Sequence, residues 1–336
     1  MSNKVYEDIL YNEDKKNKFL SQYNKQTQTI YRQSFIQSRL EEERLEKDLG
    51  EFNLSEIEEL MYAFNPLTIA ASKARASVIR TYIDWYISNG YMEKAQTNIN
   101  PMSTIDAETW YEKFVNKEEV LYYSEEQIRA AVDNAVNYQD KAIIQLLFEG
   151  AAGKWLSELR NLKEEDIDWD NSILTLYDSD EGIRNEETKR LFFASDKLMS
   201  ILEKAIAEKE YQKKNGTTEA RNPVSDLLEN GYVLKPARTR NEYEERIEQH
   251  VIYRRLSVLA ELYDMPYLRA KNITRSGMLW MAKQILDRDG VLEKPQYIEI
   301  ADKFNISFVT IGKTTMRSWV PLKQFINIES LNRIYG

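Results

Sequence analysis

Among the residues whose type and spacing could do chemistry, the cations come first. Arg269, Lys271, Arg275 and Lys283 fall within residues 266–286, a stretch without an acid. Two further stretches share this character: 15–40, with Lys15, Lys16, Lys18, Lys25, Arg32 and Arg39, and 303–323, with Lys303, Lys313, Arg317 and Lys323. The chemistry open to such groups is the holding of anions, above all phosphate. The chain as a whole is acidic, with net charge −9, and residues 117–187 carry 18 acids against 7 bases, so the basic character is local. Nucleic-acid affinity follows local phosphate contacts more than total charge. Any one stretch also reads as a solvated helix face, but three in an acidic protein point together to a polyanion.

Other chemistries are excluded by composition. The chain has no cysteine, which removes disulfides and thiolate zinc sites, and its one histidine, His250, rules out a His-rich metal site. A Ser-His-Asp triad could use that residue alone. Neither a cofactor nor a metal is expected. The start, Met1-Ser-Asn-Lys-Val-Tyr, has no apolar core of a signal peptide, and no run approaches a membrane span, so a cytoplasmic protein without membrane partners is expected.

The elements that must position these residues read as mostly helical. Residues 14–48 form one or two helices, with Gly50 as the stop; Leu54–Tyr62 starts another with Ser55 as its cap, and Asn65-Pro66 breaks it. A long helix runs from Leu67 to Ser88, and a short one lies within 100–118. Ser72-Lys-Ala-Arg-Ala-Ser-Val-Ile-Arg80 places small residues between Lys73, Arg75 and Arg80, which lets a helix approach a phosphate backbone; the same residues also fit a solvated face. A boundary falls at 116–119. Ser124 and Gln127 then form a capping box, a further helix ends at Gly150, and Ile173–Tyr177 with Lys189–Ala194 read as a hairpin. From 196 onwards the pattern is mostly helical. Lys235-Pro-Ala-Arg-Thr-Arg240 offers Arg238 and Arg240 on a basic loop or a charged helix. Tyr297–Gly312 reads as a helix-turn-helix with Ser307 capping a second helix that presents Thr310, Lys313, Thr314 and Arg317. Two packed core helices would give the same pattern.

Two motifs connect these elements. Gly153-Lys-Trp-Leu-Ser-Glu-Leu159 and Asn272-Ile-Thr-Arg-Ser-Gly277 resemble the two boxes of the active site of tyrosine recombinases, the phage integrase family. Those boxes read roughly Gly-x-Arg-x-Ser-Glu-Leu and His-x-x-Arg followed by His or Lys. Here Trp155 replaces the first arginine, Asn272 the histidine and Ser276 the following basic residue, while Arg275 remains. Lys154 is a cation beside the first of these positions, and Lys189, after Thr188, matches the hairpin lysine that in the family protonates the leaving oxygen. Of the survivors, Glu158 and Asp166 fit local capping or pairing, and Arg275 fits either a phosphate contact or the holding of a buried carboxylate.

The family places its nucleophilic tyrosine on a helix about thirty residues past the second arginine. There the chain reads Phe304–Gly312 without one; Tyr297 is too early and Tyr335 is nearly last. The resemblance therefore implies a mainly α, two-domain integrase-like protein with a small β-sheet. Its expected parts are a helical core-binding-like domain over 1–116 and an inactive recombinase-like catalytic domain over 119–336. It extends to integrase-like proteins of temperate phages of Gram-positive bacteria. It further implies a sequence-specific repressor of lysogeny that binds double-stranded DNA and does not cut it. The placement of the acid-poor basic stretches puts the 72–80 helix on one side of the duplex and 269–275 and 313–317 on the other. The operator and any inducer, protein or small molecule, are left unspecified. A divergent active recombinase using Lys154, Arg275 and Tyr297 or Tyr335, and a scaffold that has lost DNA binding, are the alternatives.

Overall fold

The computed structural model describes residues 9–92, 99–105, 107–116, 121–218, 221–238, 246–311 and 314–336. The chain divides into two compact units, Met1–Val120 and Leu121–Gly336.

The first unit contains only helices among its described residues: α1 (Glu13–Leu20), α2 (Lys25–Leu45), α3 (Leu54–Phe64), α4 (Ile69–Ser88) and the single-turn α5 (Glu108–Glu112). Side-chain caps fix their starts. Asn24 accepts from the Thr27 amide and Thr68 from the Ala71 amide, and Asn53 forms a reciprocal capping box with Glu56. The cap of α3 is thus Asn53, not Ser55, and α2 stops at Leu45, where Glu46 turns left-handed, before Gly50 is reached. Phe19, Phe35, Ile57, Leu60, Ile79 and Tyr82 meet in one core. Inside it the wholly buried Lys16 and Glu42 pair at 2.5 Å, and Glu42 also accepts from Ser38 Oγ and the Leu49 amide, which satisfies the carboxylate out of water.

The second unit is built round α7 (Tyr138–Glu149), which is buried on nearly every face, with Gln139, Asp140 and Gln145 buried among its apolar residues. It is preceded by α6 (Glu125–Asn134) and followed by α8 (Ser157–Asn161). A three-stranded antiparallel sheet follows: β1 (Ile167–Asp168), β2 (Ile173–Tyr177) and β3 (Lys189–Phe193), with β2 in the middle and Thr175 opposite Leu191. Then come α9 (Asp196–Ala207), the ribbon of β4 (Glu210–Gln212) and β5 (Val224–Asp226), α10 (Gln249–Leu262) and α11 (Ala270–Asp289). Helix α11 packs closely on α7 at Gly277, where an added Cβ would overlap the carbonyl oxygen of Phe148.

The chain ends with α12 (Lys294–Lys303), the hairpin of β6 (Phe308–Ile311) and β7 (Thr314–Arg317), and α13 (Ile328–Tyr335). This corrects the helix-turn-helix reading. Its first helix exists as α12, but the expected recognition helix is a β-ribbon, with Thr310 opposite Thr315. Phe308-Val-Thr-Ile and Thr314-Thr-Met-Arg are rich in β-branched residues, which lose rotamer freedom in a helix and fit a pleated surface. No helix among the described residues is long and apolar enough to cross a membrane.

Candidate nucleic-acid interface

The first box is a turn before it is a site. Gly153 has φ 69°, and a Cβ there would overlap Ser157 Oγ and the Glu158 side chain, so glycine is required. Asp178, at the end of the hairpin, accepts from the Lys154 amide at 2.7 Å and from Ser157 Oγ at 2.5 Å. Glu158 is fully buried and receives Arg190 Nε at 2.5 Å, the Ala152 amide at 2.9 Å and Asn305 Nδ2 at 3.0 Å. Asp166 likewise accepts from the Lys163 amide and pairs with Arg184, and burial, the leading cause, raises its pKa. The surviving letters Gly153, Ser157 and Glu158 thus hold a loop to a sheet. What they hold is unusual: Trp155 and Leu156 both take left-handed backbone, φ 56° and 61°, a strained choice for bulky residues. The result turns Leu156 into the core and leaves Trp155 52% exposed.

The second box lies in the first turns of α11. Asn272 Nδ2 donates to the Tyr267 carbonyl. Ser276 is buried, accepting from the Tyr123 amide and donating to the Asn272 carbonyl, so the position where the family has a basic residue faces inward. Lys271 and Arg275 are one turn apart and both line a cavity of about 510 Å³. Trp155, Tyr253, Met278 and Phe325 line it too. Arg275 donates to Tyr122 Oη at 3.1 Å and lies 4.6 Å from the Phe325 ring centre. Among the described residues neither Arg275 nor Lys271 has an ion-pair partner. The Lys271 ammonium is held below its ordinary range, first by the charge of Arg275 and then by burial. Two uncompensated cations at the start of a helix, whose dipole adds to them, make a place for an anion.

The other basic candidates divide. Arg269 precedes α11 and is exposed, as are Lys154 and Arg238. Lys189, at the start of β3, pairs with Glu186 at 3.0 Å. In the first unit Lys73 pairs with Glu108 at 2.8 Å. Arg75 and Arg80 are not the free solvated cations of a helix face. Arg75 donates to Ser34 Oγ at 2.9 Å beneath Phe64, and Arg80 donates to the Ile105 carbonyl at 2.6 Å. Arg317 corrects its sequence reading as well: it sits on β7, paired with Asp302 at 2.8 Å and donating to the Ile306 carbonyl, where it anchors the hairpin. Arg240 and Lys313 lie outside the described residues.

The two tyrosines weighed as nucleophiles fare alike. Tyr297 is buried and donates to the Ile326 carbonyl at 2.8 Å, and burial raises the pKa of both Tyr297 and Tyr335. The tyrosine that lines the cavity is Tyr253, which the spacing of the boxes does not single out. Arg190, the partner of Glu158, is missed for a related reason: the two lie 32 residues apart, and nothing in their spacing pairs them.

A core-binding unit of helices followed by a recombinase-type catalytic unit is the class that this fold and site define. Residues 122–336 match the model described as MrpR, C-terminal catalytic domain, and residues 10–88 the model described as MrpR, N-terminal core-binding domain. The chain belongs to the MrpR family. A relative 31% identical over 330 residues, covering 97% of each chain, is the SPbeta prophage-derived uncharacterized protein YopR of Bacillus subtilis (strain 168). Similar solved structures include XerA recombinase, 12% identical with TM-score 0.42 over 97% of this chain and 98% of that one. Another is the Tn1549 transposon integrase in complex with transposon right end DNA, 12% identical with TM-score 0.48 over 95% and 96%.

Proposed function

We propose that this protein is a sequence-specific DNA-binding repressor that maintains the lysogeny of a prophage in the bacterial host cytoplasm. In this reading an integrase fold holds DNA without cutting it, with 1–116 as the core-binding-like part and 119–336 as the inactive catalytic-like part. The observation that carries it is the pair Lys271 and Arg275, which line a cavity and have no acid to neutralise them among the described residues. Recombinase chemistry needs several cations round one phosphate and a tyrosine to attack it. Here the letters of the boxes that build the loop are kept. Those that would complete the clamp are an exposed indole, a backbone-bonded asparagine and a buried serine. Retained phosphate affinity with a lost clamp fits binding without catalysis. The prophage origin of the 31% identical relative supports the biological setting.

The test is a gel shift over a salt series with fragments of the host prophage, run beside supercoiled-plasmid relaxation. The reading expects salt-sensitive complexes and no relaxation. A divergent recombinase has one observation in its favour, the presence of Tyr253 in the cavity. Relaxation that disappears in Tyr253→Phe would establish that alternative instead.

A further inference from the structure

The cavity is larger and less polar than one phosphate contact requires. At about 510 Å³ it falls in the range of pockets that enclose a small organic ligand. Its walls include the apolar side chains of Leu156, Met278 and Phe325, and its cations sit together on one turn of α11. Trp155, turned out by two successive left-handed residues, lines the same cavity as those cations with its indole. Strain of this kind persists where surrounding structure enforces it, and here Gly153, Asp178 and Glu158 do so. A flat ring beside a phosphate is the ligand that such a site recognises: the indole stacks on the ring while the guanidinium and ammonium take the charge.

We infer that the cavity binds a single mononucleotide unit, with its phosphate on Lys271 and Arg275 and its base against Trp155. The inference rests on the DNA-binding reading, since the same two cations serve both. A free nucleotide in the cavity and a DNA phosphate on Lys271 and Arg275 are then mutually exclusive, which makes the nucleotide an inducer that releases DNA. The same chemistry could be supplied by an extrahelical nucleotide of the bound DNA, whose base would then be unstacked at one fixed position of the bound fragment.

The experiment titrates AMP, GMP and TMP into the full-length protein by calorimetry, with inorganic phosphate as the control for charge alone. The expected result is binding of a mononucleotide at least about tenfold tighter than phosphate, reduced about tenfold or more by Trp155→Ala and largely restored by Trp155→Phe. Arg275→Ala abolishes it, and the bound nucleotide displaces a prophage DNA fragment in a gel shift. In a second arm, 2-aminopurine is placed singly along a bound fragment. A fluorescence rise at one position that is lost in Trp155→Ala assigns the site to a base of the DNA. Mononucleotides binding no better than phosphate, with no 2-aminopurine response, would overturn the inference while leaving DNA binding itself intact. Absence of any DNA complex would instead overturn the repressor reading.

Discussion

Two arginines of the second unit look alike in the sequence and should behave in opposite ways when removed. Arg275 contacts Tyr122 and Phe325 and has no carboxylate partner among the described residues, so Arg275→Ala should leave the melting temperature nearly unchanged. Its loss should appear in DNA binding, with a weaker complex and a salt slope smaller by about one. Arg190 holds the fully buried Glu158, and Arg190→Ala strands that charge at a cost of about 3–5 kcal/mol. Thermal unfolding of both variants beside a gel shift separates the roles. An Arg275→Ala protein that melts far below the parent would show a structural arginine instead. A third case is Arg80, which donates to the Ile105 carbonyl. Arg80→Ala should lower stability more than it lowers DNA affinity, measured the same way.

Elements differ in how much of them a single sequence reveals. The β2–β3 hairpin is legible because two short runs rich in apolar, β-branched and aromatic residues, Ile173–Tyr177 and Lys189–Phe193, flank a polar loop. The β6–β7 hairpin is not, because an apolar helix, a serine and a second apolar run fit helix-turn-helix spacing as well as they fit a ribbon. The loop at 153–156 is half legible. Gly153 announces a turn, but left-handed backbone at Trp155 and Leu156 depends on Asp178 and Glu158, which only tertiary structure brings there. For the same reason the boxes point to Arg275 and not to Tyr253 or the apolar wall beside it. The α7–α11 contact gives a prediction at this scale. Gly277→Ala forces the helices apart at the Phe148 carbonyl and should cost about 1–3 kcal/mol or more. Unchanged denaturant unfolding would mean that the two helices do not pack this closely.

For the molecule as a whole, the proposed DNA binding requires an acidic chain of net charge −9 to hold a polyanion through local cations. The pair Lys271 and Arg275, without an ion-pair partner among the described residues, would supply that locality in the second unit, with exposed Arg269 just before it in sequence and exposed Lys154 between the cavity-lining Gly153 and Trp155. The most direct test of binding without cutting is one gel shift loaded twice from the same reaction, once native and once after SDS and heat. The expected result is a native complex that weakens steeply with salt and free DNA alone in the denatured lane. A band that survives denaturation, and that is lost in Tyr253→Phe, would show a covalent phosphotyrosyl intermediate and contradict the account.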